Sequence, residues 1–113
     1  MSSTEVKSTI KNIKLEGNYL IEQDHAKILD EVTEAIQNGY QRFVLDMTAL
    51  NHINSAGLSV MIRIMTKART AGGDAVLANI PEKIKQLLII TKLNSVFNSF
   101  DSIEDAEAAL IQS

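Results

Sequence analysis

The feature that most constrains this chain is a repeated change of hydrophobic period. Short apolar runs, partly β-branched, alternate with longer stretches in which apolar residues recur every three or four positions. The first kind reads as strand and the second as amphipathic helix. "NIKLEGNYL" (residues 12–20) reads as strand, with Ile13 and Leu15 on one face and Gly17 as a turn or bulge. An earlier short strand is expected around Val6. "EQDHAKILDEVTEAIQNG" follows as a helix with Ile28, Leu29, Val32, Ala35 and Ile36 on one side. Asn38-Gly39 is its stop, because glycine takes the left-handed conformation cheaply. "RFVLDM" (residues 42–47) is a buried strand. "GLSVMIRIMTKARTAGG" is the next helix, burying Leu58, Met61, Ile62, Met65 and Ala68 and ending at Gly72-Gly73. "DAVLAN" (residues 74–79) is a core strand. Pro81 is expected in the first turn of a further helix, where its missing N–H is harmless, with Ile84, Leu87 and Leu88 inward. "SVFNSF" (residues 95–100) reads as a short last strand. "DSIEDAEAALIQ" closes the pattern as a helix, with Ser102 and Asp105 spaced as in a capping box and Ile103, Ala106 and Leu110 as its apolar face.

The order is β(β)αβαβαβα. Strands separated by helices need crossover connections, so the class is α/β with a parallel or mixed sheet, and right-handed crossovers limit its topology. No linker, repeat or low-complexity tract divides the 113 residues. One domain over residues 1–113 is expected.

Composition narrows the function. There is no cysteine, which removes disulfides, thiolate metal sites and thiol chemistry together. No apolar run approaches the roughly 20 residues that a membrane helix needs, and "MSSTEVKSTIKN" offers no apolar signal core. A soluble cytoplasmic protein is the expectation, with no membrane insertion. The net charge is −3 with scattered basic residues, and aromatics are 4%. Neither the basic face nor the stacking platform of a nucleic-acid binder is present.

Few residues could carry chemistry. The histidines are His25 and His52. His52 precedes Ser55 by three positions, but "NSAG" lacks the first glycine of a nucleophile elbow. His25, near Asp24 and Asp30, forms no helical metal-ligand spacing and reads as a solvated face. The glycines of "AGGDA" are a turn, since no Lys-Ser/Thr follows to hold a phosphate. Met61 and Met65 are core filler. No catalytic residue, metal or cofactor is therefore assigned. Asp46 stands near the C-terminal end of a core strand, where open α/β sheets place their sites; its ordinary role there is to bond loop amides. Ser55 stands at or beside a helix N-terminus. Its plain reading is a cap, with Asn54 or Ser55 accepting from a free backbone N–H. Its functional reading is a phosphoacceptor, since a phosphate there meets exposed N–H groups and the positive end of the helix dipole.

The run from "FVLDM" through "INSAGL", "ARTAGGDAVLANI" and "LLIITKLNSVFNSFDSIEDAEAAL" resembles the STAS domain of bacterial anti-sigma factor antagonists, over residues 12–111 in one order. The resemblance implies a STAS-like domain with a mixed four- to five-stranded sheet and about four helices. It implies a non-enzymatic partner-switching regulator. Such a protein binds an anti-sigma factor, often itself a serine kinase, and a phosphatase resets the phosphorylated serine. Ser55 matches the phosphoacceptor, and Asn54, Ser55, Ala56, Gly57, Leu58 and Asp46 match the partner-facing region. A homodimer is left open. Two positions depart from the family pattern: Asn54 replaces an aspartate, and Leu20 stands where a further aspartate is usual. A STAS accessory subunit of a membrane transporter, docking on its cytosolic ATPase, and a stressosome-type scaffold component are the alternatives.

Overall fold

A computed structural model describes residues 10–17, 25–50 and 52–112. In chain order the elements are β1 (Ile10–Gly17), α1 (His25–Gln37), β2 (Arg42–Leu50), α2 (Ser55–Thr70), β3 (Asp74–Ala78), α3 (Glu82–Ile90), a 3₁₀ turn (Leu93–Ser95), β4 (Ser99–Phe100) and α4 (Ile103–Gln112). The strands form one sheet in the order β1-β2-β3-β4, and all three pairings are parallel. The α/β class and the alternation expected from the sequence are both present. The strand expected around Val6, and the end of the first strand beyond Gly17, lie outside the described residues.

Alternation along β2 builds two cores. Phe43, Leu45 and Met47 enter the larger one, with Ile28 and Val32 of α1, Met61 and Ile64 of α2, and Ile84 and Leu88 of α3. Val44 points the other way. It joins Val76 and Ala78 of β3 under Ala106 and Leu110 of α4. Burying each of these large side chains favours folding by roughly 1.5–3 kcal/mol, and the alanines Ala78 and Ala106 let α4 lie close on the sheet. The helical faces expected for Ile28, Val32, Ala35, Leu58, Met61, Met65 and Ala68 are all buried, with Leu29, Ile36, Ile62 and Leu87 partly so.

Four boundaries differ from the sequence expectation. β2 runs on to Leu50 rather than ending at Met47, through a bulge. Lys14 pairs with Asp46 but Glu16 pairs with Ala49, so β2 advances one residue further than β1. The odd step reverses the alternation and returns Leu50 to the larger core. Helix α2 begins at Ser55, two residues before Gly57. Pro81 caps α3 from outside rather than entering its first turn, and its carbonyl accepts from the N–H groups of Ile84 and Lys85. The last strand is only Ser99–Phe100. Residues 93–97 turn locally instead, with Val96 and Phe97 N–H groups both donating to Leu93 O and the Ser95 hydroxyl donating to Lys92 O at 2.9 Å. Side chain and backbone there satisfy each other without a ladder.

The connection between α2 and β3 has little freedom. Gly72 holds a φ of +97°. Gly73 passes so close to the Gln41 carbonyl that a side chain there would collide with backbone. Asp74 N–H donates to that same carbonyl at 3.1 Å. Gln41 Nε2 donates to Ala71 O at 3.0 Å.

Candidate functional site

The candidate site is the passage from β2 to α2. Ile53 packs partly into the larger core and anchors the loop. Asn54 then has extended backbone, and its Oδ1 accepts from Gly57 N–H at 2.9 Å. Its carbonyl accepts from Leu58 N–H at 2.9 Å, the first bond of the helix. Asn54 is therefore the cap, as one of the two sequence alternatives had it. Ser55 is the first helical residue. It is exposed, and among the described residues no hydrogen bond engages its hydroxyl. The plain reading of Ser55 itself as the cap is thereby corrected: among the described residues its side chain makes no capping hydrogen bond.

The neighbouring positions divide by exposure. Asn54, Ser55 and Ala56 face outward, while Gly57 and Leu58 turn into the protein. A surface reading this segment meets an amide, a hydroxyl and a methyl group in succession. The first turn of α2 carries no acidic residue. The leading N–H groups and the positive end of the helix dipole thus face no neighbouring carboxylate within that turn. His52 is exposed in the same loop, and no bond joins it to Ser55 among the described residues.

Asp46 lies at the β2 bulge and is half-buried. Its Oδ1 accepts from the Thr48 hydroxyl at 2.6 Å, Thr48 N–H at 3.1 Å and Asn79 Nδ2 at 3.3 Å. Burial pushes its pKa up, but the Thr48 hydroxyl and amide, the Asn79 amide and the Lys14 ammonium outweigh it and hold the carboxyl below its ordinary 3.8. The carboxylate satisfies the N–H released by the bulge and ties β2 to the end of β3. Asn79 was not singled out from the sequence. The available signal was an asparagine closing a strand, a residue type tolerant of the left-handed φ of +58° found there. Asn79 N–H also donates to Phe100 O at 3.1 Å, so one residue links β2, β3 and β4.

A shallow apolar groove of about 440 Å³ opens between α1 and α2, lined by Thr33, Ile36, Thr66 and Thr70 among others. It belongs to the C-terminal halves of both helices, at the other end of α2 from Ser55. Among the described residues no group of His, Asp and Glu side chains could hold a metal ion, and no helix is long and apolar enough to cross a membrane.

Fold and site together define an α/β domain whose outward chemistry is a free hydroxyl at a helix start. The family model of the STAS domain matches residues 2–106. The chain belongs to the STAS domain family. A Bordetella bronchiseptica relative, BtrV, provisionally named an anti-sigma factor antagonist, is 32% identical over 79 residues, covering 70% of this chain and 68% of its own. A Thermotoga maritima protein, TM1081, with the same provisional name has a crystal structure that superposes with a TM-score of 0.76 at 20% identity, covering 90% of this chain and 87% of the other. The Bacillus cell fate determinant SpoIIAA, solved in its phosphorylated form, superposes at 0.56 with 17% identity, covering 88% of each chain. At those identities the two structures speak to the fold.

Proposed function

We propose that this chain is an anti-sigma factor antagonist that works by partner switching at Ser55. The observation that carries the reading is the placement of Ser55: exposed, first in its helix, and relieved of capping by Asn54. With its hydroxyl free, the segment 54–56 offers a neutral surface to an anti-sigma factor. A serine kinase, which the anti-sigma factor itself often supplies in this family, moves the γ-phosphoryl group of ATP onto Ser55 Oγ. The hydroxyl proton leaves to a base on the kinase, and ADP departs. The chain is then the substrate and not the catalyst, and a phosphatase returns the hydroxyl by hydrolysis. Its place of work is the cytoplasm, where the anti-sigma factor is.

The geometry supports a switch in affinity rather than in fold. A phosphoserine carries about −1.5 to −2 charges near neutral pH. At Ser55 it would meet free helix N–H groups and a favourable dipole, an interaction worth about 0.3–1 kcal/mol at an exposed site. Asn54 keeps the cap hydrogen bond without placing a carboxylate beside that phosphate. The replacement of the usual aspartate is thus compatible with phosphorylation. The partner, in contrast, would have to desolvate a dianion where it had met a hydroxyl.

Binding to the anti-sigma factor tests the proposal. Ser55→Ala is expected to bind like the unmodified chain. Ser55→Asp is expected to bind at least about tenfold more weakly, the scale of one misplaced charge in an interface. Equal binding by both variants would refute a switch at Ser55.

A further inference from the structure

Among the described residues four large apolar side chains stand exposed, and they fall into two groups. Ile89 (52% exposed), Ile90 (75%) and Val96 (38%) gather at the end of α3 and the turn after it. Lys83, Lys85 and Lys92 are exposed around them, and Lys92 is held at a left-handed φ of +64°. Glu82 is the one acid of residues 82–99. Ile111 (43% exposed) is the fourth and lies on α4. Glu104, Ala108 and Ile111 share a helix face by their spacing and are all exposed. Asp101 and Asp105 flank that face, and no lysine or arginine follows Lys92 in the sequence. Among the described residues none of Lys83, Lys85, Lys92, Asp101, Glu104 and Asp105 has an ion-pair partner within the chain.

The molecule thus presents one apolar patch ringed by cations and another flanked by anions. We infer that these two faces dock on one another between copies of this chain. The α3 patch of one copy receives the outer face of α4 of the next. The complementarity is internal to the sequence, which is what favours a second copy over a foreign occupant. An anionic lipid surface would account for the lysines and isoleucines, but not for an apolar residue set among carboxylates on α4.

The geometry also sets the mode of growth. Ile84 and Leu88 root α3 in the larger core, whereas Ala106 and Leu110 root α4 in the smaller core across the sheet. The two docking faces therefore belong to opposite layers. The contact is heterologous, and each added copy leaves one face of either kind unfilled. One helix face on each side gives a small interface, in the range of weak, transient contacts below about 1,200 Å² in total. Assembly is therefore expected at high local concentration and low salt. The inference does not rest on Ser55, so it stands or falls apart from the proposed switch.

Sedimentation velocity on the full chain, from about 10 µM to about 1 mM, spans the affinities such a contact can reach. The expected result is a sedimentation coefficient that climbs past the dimer value with concentration and returns to the monomer value when salt screens the charges. Two variants sharpen the test, each first shown to be folded by circular dichroism and urea melts. Lys83→Glu/Lys92→Glu makes both faces acidic, and Glu104→Lys/Asp105→Lys/Ala108→Lys outweighs the remaining Asp101 and makes both faces basic. Each alone is expected to associate at least about tenfold more weakly than the native chain, and their equimolar mixture is expected to associate again. A native chain that stays monomeric throughout overturns the inference. So do variants that associate like the native chain, or a mixture of folded variants that stays apart. Binding to phosphatidylserine vesicles without self-association also overturns it, and gives the lysine patch to a lipid surface.

Discussion

Two adjacent residues divide the work at the start of α2. Asn54 Oδ1 holds Gly57 N–H, whereas the Ser55 hydroxyl holds nothing among the described residues. Asn54→Ala should therefore cost about 1 kcal/mol of stability, while Ser55→Ala should leave urea melts unchanged within about 0.5 kcal/mol. A large loss from Ser55→Ala would reveal a structural duty for the hydroxyl. From the sequence, a helix start was legible here, and so was the serine. Which of two neighbours caps was not, because both side chains can accept at that spacing and only backbone geometry decides. Asp46 is the second residue with a defined role. Its depressed pKa means that its stabilising contribution is fully present above the unfolded value near 3.8 and is lost as pH falls through the folded value. Asp46→Asn should lower stability at neutral pH, and its gap from the native chain should narrow below about pH 4 in acid unfolding followed by circular dichroism.

At the scale of elements, what was legible is what hydrophobic period encodes. The helices and core strands repeat a buried face several times over, so the pattern survives an error at any one position. Residues 95–100 do not. "SVFNSF" alternates for too few positions to separate a strand from a turn that buries Phe97 alone, and Ser95 spends its hydroxyl on the backbone. The bulge in β2 was hidden for a related reason: an odd step looks like noise in a period of two. The joint between α2 and β3 shows how one residue can bind two elements together. A methyl group at Gly73 would drive into the Gln41 carbonyl at the start of β2. Gly73→Ala should thus destabilise the protein by about 3 kcal/mol, as overpacking against an unyielding neighbour does. The midpoint of a urea melt reads this directly, and an unchanged midpoint would mean that the two backbones separate easily.

At the scale of the whole molecule, the described strands lie in the sheet in the order in which they occur in the chain. Fold class and helix count could be read from the sequence because every crossover carries its own amphipathic pattern. The division of the helices between two layers could not, since a stripe of apolar residues records that a helix is buried and not against which face. Among the described residues, α1, α2 and α3 contribute to the larger core, and α4 is the helix that covers Val44, Val76 and Ala78. Removing residues 101–113 should leave that face bare, giving a chain that binds a hydrophobic dye and unfolds at much lower urea concentration. A truncated chain with native stability would show that α4 is dispensable. The same arrangement bears on how the protein is made. A ribosome releases β1, β2 and β3 in the order in which they pair, so the sheet can assemble from one edge as it emerges. Its second face must wait for α4, the last of the described elements. For that interval the nascent chain shows water a strip of valine and alanine, and this is the moment at which a chaperone has something to hold.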